Sequence, residues 1–175
     1  RHKHLTLTSD IFFVNRIPFF VTRSRVIKFG TVQHSITTTI KSIFDMIVRV
    51  RALYMQGGFK INILMMDGQG EPLRLLLNTI GIHLNTVAAN EHVPDIERYI
   101  RTLKERTRAA MAITPFNFTL KRHTIECVIA QNFWINIIPP MDGVSNTVSP
   151  RTIVTGLRMS HGKHLLLEFG AYAQV

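Results

Sequence analysis

The chain has 175 residues, of which 46% are hydrophobic, and a net charge of +10 with histidine neutral. This length allows one full-sized domain with a core and is too short for two, while the positive charge makes nucleic acid the first partner to consider. The single cysteine, Cys127, excludes an internal disulfide and any multi-cysteine zinc site, and no apolar run reaches the roughly 18–20 residues that span a bilayer, so we expect no membrane partner.

The first part of the chain has the composition of β-strands. Residues 5–32 are rich in β-branched and aromatic side chains, and polar residues interrupt them at Asn15-Arg16 and again at Arg23-Ser24-Arg25. This pattern predicts three short strands in an antiparallel meander, with the third at residues 26–29.

Helical and extended patterns alternate after the meander. Apolar residues recur at helical spacing over residues 36–56, and Gly57-Gly58 ends that pattern. A continuous apolar run at 59–66 predicts a strand buried on both faces. The later predicted elements are a helix at 71–80, a strand at 82–87, helices at 94–111 and 120–137, and a last strand at 166–175.

This order predicts an α/β fold with a mixed sheet. The strand–helix–strand unit over residues 59–87 implies a parallel pairing, which is added to the antiparallel meander, and helices pack on the sheet. We expect residues 1–140 to form the core and residues 141–175 to form a C-terminal extension that ends in a strand.

Three carboxylates occur where such a sheet would bring them together. Asp10 lies within the first predicted strand, Asp67 closes the buried strand, and Glu97 lies in the first turn of a helix. Convergent carboxylates suit Mg²⁺, which prefers oxygen ligands. Each residue also has an ordinary explanation: a solvent-facing acid in an edge strand for Asp10, a turn for Asp67-Gly68, and the helix dipole for Glu97.

A resemblance to a known family favours the metal-binding interpretation. Residues 97–103, Glu-Arg-Tyr-Ile-Arg-Thr-Leu, resemble the Glu-Arg-x-x-Arg-Thr-Leu signature in integrases of copia-type LTR retrotransposons. Residues 66–71 resemble the segment with that family's second aspartate, and Ser9-Asp10-Ile11 stands where the first belongs. Residues 133–136, 149–156 and 167–172 are similar to the segment that follows the family's core. The interval from Asp67 to Glu97 is a little shorter than is typical of the family, which predicts a shorter loop at 88–92.

The resemblance implies a fold, an activity and a set of partners. It implies an RNase H-like fold and a polynucleotidyl transferase that processes DNA 3′ ends and transfers strands with Mg²⁺ or Mn²⁺. Asp10, Asp67 and Glu97 would be the catalytic residues and the metal ligands. Element ends and target DNA, a homo-oligomer, an upstream zinc module and a downstream reverse transcriptase in a parent polyprotein are expected, with localisation to the nucleus and to cytoplasmic virus-like particles.

Basic residues accompany the last acid of the set. Glu97, Arg101, Lys104 and Arg108 fall on one face of the predicted helix, while Ile96, Ile100, Leu103 and Thr107 form its apolar stripe. The cations would meet DNA phosphates, although an ordinary solvated helix face is the alternative. The predicted DNA-binding residues are Arg98, Arg101, Lys104, Arg108, Lys121 and Arg122.

Two other functions remain open at this stage. One is an inactive DNA-binding remnant of a decayed retroelement, which would keep the fold and the positive surface. The other is an RNase H-type nuclease that cuts without joining.

Overall fold

A five-stranded mixed sheet forms the centre of the protein. The computed structural model describes residues 3–86, 94–114, 120–160 and 162. Antiparallel pairing joins β1 to β2 and β2 to β3, and parallel pairing joins β1 to β4 and β4 to β5, giving the order β3-β2-β1-β4-β5. The strands are β1 (His4–Val14), β2 (Ile17–Ser24), β3 (Gly30–His34), β4 (Lys60–Met66) and β5 (His83–Thr86).

Helices cover the sheet on both faces. Thr39 caps the first of them by accepting the amide of Ser42 at 3.3 Å. The described helices are α1 (Ile40–Gln56), α2 (Arg74–Thr79), α3 (Pro94–Ala112), α4 (Lys121–Ile137) and α5 (Pro150–Thr155), and a 3-10 turn (Gly68–Leu73) precedes α2. None of them is long and apolar enough to cross a membrane.

Alternation along the strands divides the apolar residues into two clusters. Leu7 and Phe20 face the cluster under α1, with Tyr54 fully buried there. Phe12 and Phe19 face the opposite cluster under α3 and α4, with their rings stacked at 5.4 Å between centroids. Each strand therefore fixes which residues face which helix layer.

The structure confirms the predicted meander and the predicted parallel pairing, and it corrects several boundaries. The third strand is Gly30–His34 rather than 26–29, because the chain turns first: the Ser24 hydroxyl accepts the Ile27 amide at 3.2 Å, and Lys28 has a φ of 64°. The first helix begins at Ile40 rather than near 36, where Thr39 supplies its cap.

Two further corrections concern the middle of the chain. The helix predicted over 71–80 is split into the 3-10 turn and α2, since the turn contains Pro72. The strand at β4 is not buried on both faces, because Ile63 is 37% exposed. Among the described helices, α3 and α4 pack mainly on β1, β2 and β3 rather than on β4.

The C-terminal segment contains a helix that the sequence analysis did not predict. Helix α5 begins after Ser149, whose hydroxyl accepts the Thr152 amide at 3.3 Å, and Val154 is fully buried in the cluster under α1. The predicted strand at 166–175 and the predicted loop at 88–92 lie outside the described residues.

Candidate active site

Asp10 occupies the centre of the sheet, as a half-buried carboxylate on β1. Its Oδ1 accepts the backbone amide of Ile11 at 2.7 Å. Strand β1 runs parallel to β4 with Thr8 opposite Met65. Continuing this register by two residues brings Asp10 level with Asp67, because parallel neighbours advance together.

Asp67 is exposed at the end of β4, immediately before the 3-10 turn. Its side chain makes no capping hydrogen bond, so the turn does not use the carboxylate. The turn is fastened to β5 by Arg74, which donates to Glu71 at 2.5 and 2.8 Å, to the Leu84 carbonyl at 2.9 Å and to the Thr86 hydroxyl at 3.2 Å. This network holds the chain that follows Asp67 against the strand beside it.

Glu97 lies in the first turn of α3 and is exposed. The buried residues of α3 include Ile96, Ile100, Leu103 and Thr107, so the predicted apolar stripe is confirmed. The stripe packs on β1 and β2, which brings the N-terminal half of α3 over the strand that contains Asp10.

The charges of Asp67 and Glu97 act on Asp10. Burial raises the pKa of Asp10 above its ordinary value of 3.8, and the negative charges of Asp67 and Glu97 raise it further. The Ile11 amide and the Lys104 ammonium act in the opposite direction. Asp10 therefore lies within electrostatic reach of both other acids.

Asp10 is also the point where two grooves meet. One groove, of about 490 Å³, is lined by Asp10, Glu97 and basic residues of α3. The other, of about 330 Å³, is lined by Asp10, Asp67, Gln69 and residues of α1. Asp10 thus has Glu97 on one side and Asp67 on the other.

The predicted cations divide into two groups. Arg101, Lys104 and Arg108 line the groove with Glu97, and the Lys104 ammonium lies 5.9 Å from the centroid of the Phe12 ring. The other three residues predicted to bind DNA are exposed but do not line this groove: Arg98, Lys121 and Arg122.

The sequence analysis did not assign Phe13 or Glu105 to the site. Phe13 lines both grooves and is 53% exposed, and Glu105 lines the groove with the cations. Helical spacing from Glu97, eight residues earlier, could have located Glu105. No pattern in the sequence distinguishes Phe13 from its buried neighbour Phe12.

The donor set suits a hard divalent cation. Among the described residues, no three histidine, cysteine or acidic side chains lie close enough together to hold one ion in common. Asp10 nevertheless has an acid on each side, and a divalent cation would neutralise the negative charge that these acids place beside it. Carboxylate oxygens are the ligands that Mg²⁺ and Mn²⁺ prefer, so these residues fit such an ion.

Comparison with solved structures identifies the fold. The structure is similar to the catalytic core domain of BIV integrase, with a TM-score of 0.60 and 16% identity over 86% of this chain and 93% of that one. It is also similar to the HTLV-2 integrase catalytic core in complex with magnesium. The trimeric form gives a TM-score of 0.62, 12% identity and coverage of 87% and 96%. The dimeric form gives 0.61, 13%, and coverage of 85% and 96%.

No protein-family profile and no curated protein sequence matches the chain. At identities of 12–16%, the likeness to the solved structures shows the fold alone. The predicted fold class, an RNase H-like mixed α/β sheet with helices packed on it, is confirmed.

Proposed function

We propose that the chain is the catalytic core of a retroelement integrase, which processes the 3′ ends of the element's DNA and joins them to target DNA. The observation that chiefly supports this proposal is the position of Asp10 between Asp67 and Glu97 on a sheet of the integrase-core kind. The copia-type origin rests on the resemblance of residues 97–103 to that family's signature.

Asp10, Asp67 and Glu97 would hold Mg²⁺ or Mn²⁺, with Asp10 shared between the two grooves. Bound divalent cations supply activation of the attacking oxygen and charge neutralisation at the scissile phosphate. The HTLV-2 integrase cores are in complex with magnesium, which supports the choice of ion. The protein's own task is to hold the carboxylates in position.

The basic residues in the groove would bind the DNA end. Arg101 and Arg108 can each contact a phosphate in a bidentate manner, whereas Lys104 provides a point charge beside Asp10. Arg98, Lys121 and Arg122 would contact the DNA backbone outside the groove. Phosphate contacts fix register without reading sequence, which is the behaviour that joining to varied targets requires.

The proposal extends to the setting in which the core acts. It would work as a homo-oligomer that brings two DNA ends together, and the dimeric and trimeric HTLV-2 forms support an oligomer. It would be part of a polyprotein with an upstream zinc module and a downstream reverse transcriptase. It would act in the nucleus after transport there from cytoplasmic virus-like particles.

A strand-transfer assay with Mg²⁺ or Mn²⁺ tests the function. Asp67→Asn and Glu97→Gln each remove one anionic metal ligand, and we expect each to lower activity by more than the roughly 100-fold that loss of an outer-shell partner costs. Matched controls are Asp45→Asn in α1 and Glu126→Gln in α4, which remove the same charges at exposed positions outside both grooves. The controls should keep wild-type activity.

The same assay separates the alternatives. Wild-type activity no greater than that of the Asp67 and Glu97 variants would indicate an inactive DNA-binding remnant. Cleavage of DNA without joining, abolished by both variants, would indicate a nuclease.

A further inference from the structure

The face of α3 opposite Glu97 is attached to the rest of the protein at two points, one before Glu97 in the chain and one after it. These attachments are called fastening points below. Residues two positions apart in a helix differ by about 200° around its axis, whereas residues four apart share a face. Asp95 and Tyr99 each lie two residues from Glu97 and four residues from each other. Both therefore lie on the face opposite Glu97, which agrees with the exposure of Glu97 and the burial of Tyr99 at 2% exposed.

Tyr99 is the first fastening point. Its hydroxyl donates to Oδ1 of Asn132 in α4 at 2.6 Å, and the Arg23 guanidinium lies 4.7 Å from the centroid of its ring. Gly30 packs so closely that a Cβ at this position would overlap the Tyr99 hydroxyl. The ring can therefore occupy this site only because residue 30 has no side chain.

Asn136 extends the first fastening point to the sheet. It lies one turn after Asn132 on α4 and is 3% exposed. Its side-chain Oδ1 accepts a hydrogen bond from the backbone N–H of Gly30 at 2.8 Å, and its Nδ2 donates to the Gly30 carbonyl at 2.7 Å. The acceptor of the Tyr99 hydroxyl thus belongs to a helix that is itself bonded to the first residue of β3.

Lys28 is the second fastening point. Its ammonium lies 3.7 Å from Asp95 in α3 and 3.1 Å from Asp142 after α4, and its side chain is 11% exposed. Lys28 lies in the turn between β2 and β3 and has a φ of 64°. This turn carries the side chain that contacts Asp95 and Asp142. A single cation thus ties the first turn of α3 to the segment that follows α4.

We propose that Tyr99 and Lys28 are positioning residues for Glu97. Together they fix the rotation of α3 about its axis and the position of its first turn relative to the sheet. The Glu97 carboxylate therefore faces the groove that Asp10 also lines. Neither side chain contacts the groove, so each acts through the helix. This inference rests on the proposed function, because it concerns Glu97 as a metal ligand.

Binding of Mn²⁺ to the metal-free chain, followed by electron paramagnetic resonance, tests the inference without measuring activity. Tyr99→Phe keeps the ring and removes only the hydroxyl, and Lys28→Met keeps the length of the side chain and removes its charge. We expect each variant to weaken Mn²⁺ binding by about 3-fold to 10-fold, less than the roughly 10–100-fold effect of losing a partner bonded directly to a ligand.

Ser149→Ala is the control. The Ser149 hydroxyl caps α5 by accepting the Thr152 amide at 3.3 Å, and α5 packs in the cluster on the face of the sheet opposite α3. This variant loses a hydrogen bond that stabilises the fold, so urea unfolding should show a loss of stability similar to that of Tyr99→Phe. Its Mn²⁺ affinity should equal that of the wild type.

The outcomes distinguish this inference from the proposed function. Wild-type Mn²⁺ binding that Asp67→Asn and Glu97→Gln leave unchanged, or no binding at all, would overturn both. Binding that is weakened by Glu97→Gln but unchanged in Tyr99→Phe and Lys28→Met would overturn the positioning role alone. Equal weakening by Ser149→Ala and Tyr99→Phe would also overturn it, because the effect would then follow general stability.

Discussion

At the scale of single residues, Asp10 is a carboxylate whose surroundings disfavour its charge. It is half-buried on a central strand, with Asp67 and Glu97 nearby, and its pKa is raised above 3.8 by burial first and by these charges next. A raised pKa means that the folded state binds the proton more tightly than the unfolded state does. The free energy of unfolding therefore falls as the pH rises from 3.8 through the raised pKa, and the loss persists at neutral pH.

Asp10→Asn should consequently stabilise the protein in the absence of metal. Asparagine keeps an oxygen that can accept the Ile11 amide and has no charge to bury. The difference in free energy of unfolding between the variant and the wild type can be measured by urea unfolding in a chelator over a pH series. It should not change with pH below 3.8, and it should grow in favour of the variant above 3.8. The advantage should shrink when Mg²⁺ is added, because only the wild type gains from the ion. A variant less stable than the wild type at neutral pH without metal would refute this explanation.

At the scale of elements, α3 combines two functions on two faces. Its apolar stripe, which includes Ile100 and Leu103, packs on β1 and β2, and its polar face presents Glu97 together with three cations to one groove. That Glu97 and the three cations share one face of the helix was predictable, because helical periodicity alone determines it. The roles of the cations stay a prediction.

The salt dependence of DNA binding tests those cations. Replacing Arg101 or Arg108 singly with glutamine should reduce the magnitude of the slope of log K against log salt by about 0.9 in each variant, the contribution of one phosphate contact. Arg106→Gln is the matched control, since Arg106 is exposed on the same helix and does not line the groove. An equal change of slope in the control and in the variants would assign the effect to net charge instead.

Other elements show where sequence patterns were sufficient and where they were not. Ser149-Pro150 before an apolar stretch and Gly156 after it are the signals of a short helix, so α5 was predictable and was overlooked. The displacement of the third strand was harder to predict. It depends on the Ser24 hydroxyl bonding the Ile27 amide and on a positive φ at Lys28, a residue type for which that conformation is uncommon.

At the scale of the whole molecule, chain order and strand length were sufficient to predict the sheet, but local patterns could not specify the site. Asp10 and Asp67 are 57 positions apart, and they become neighbours only through the parallel register of β1 with β4. The fastening of α3 by Lys28, Tyr99 and Asn132 depends equally on tertiary packing. No periodicity in the sequence marks such contacts.

The fold and the chemistry are separate claims. Similarity to integrase cores at 12–16% identity shows how the chain is arranged, and a fold of this kind can support more than one reaction. The claim about function depends instead on whether the carboxylates around Asp10 hold divalent ions.

A crystal structure of the chain grown with Mn²⁺ tests that claim most directly, through the anomalous scattering of the metal. We predict an anomalous peak at coordination distance from Asp10, roughly 2.1 Å from its oxygens, with Asp67 or Glu97 as a second ligand. Anomalous peaks only at other sites, or none at Mn²⁺ concentrations that support strand transfer by integrases, would contradict the account.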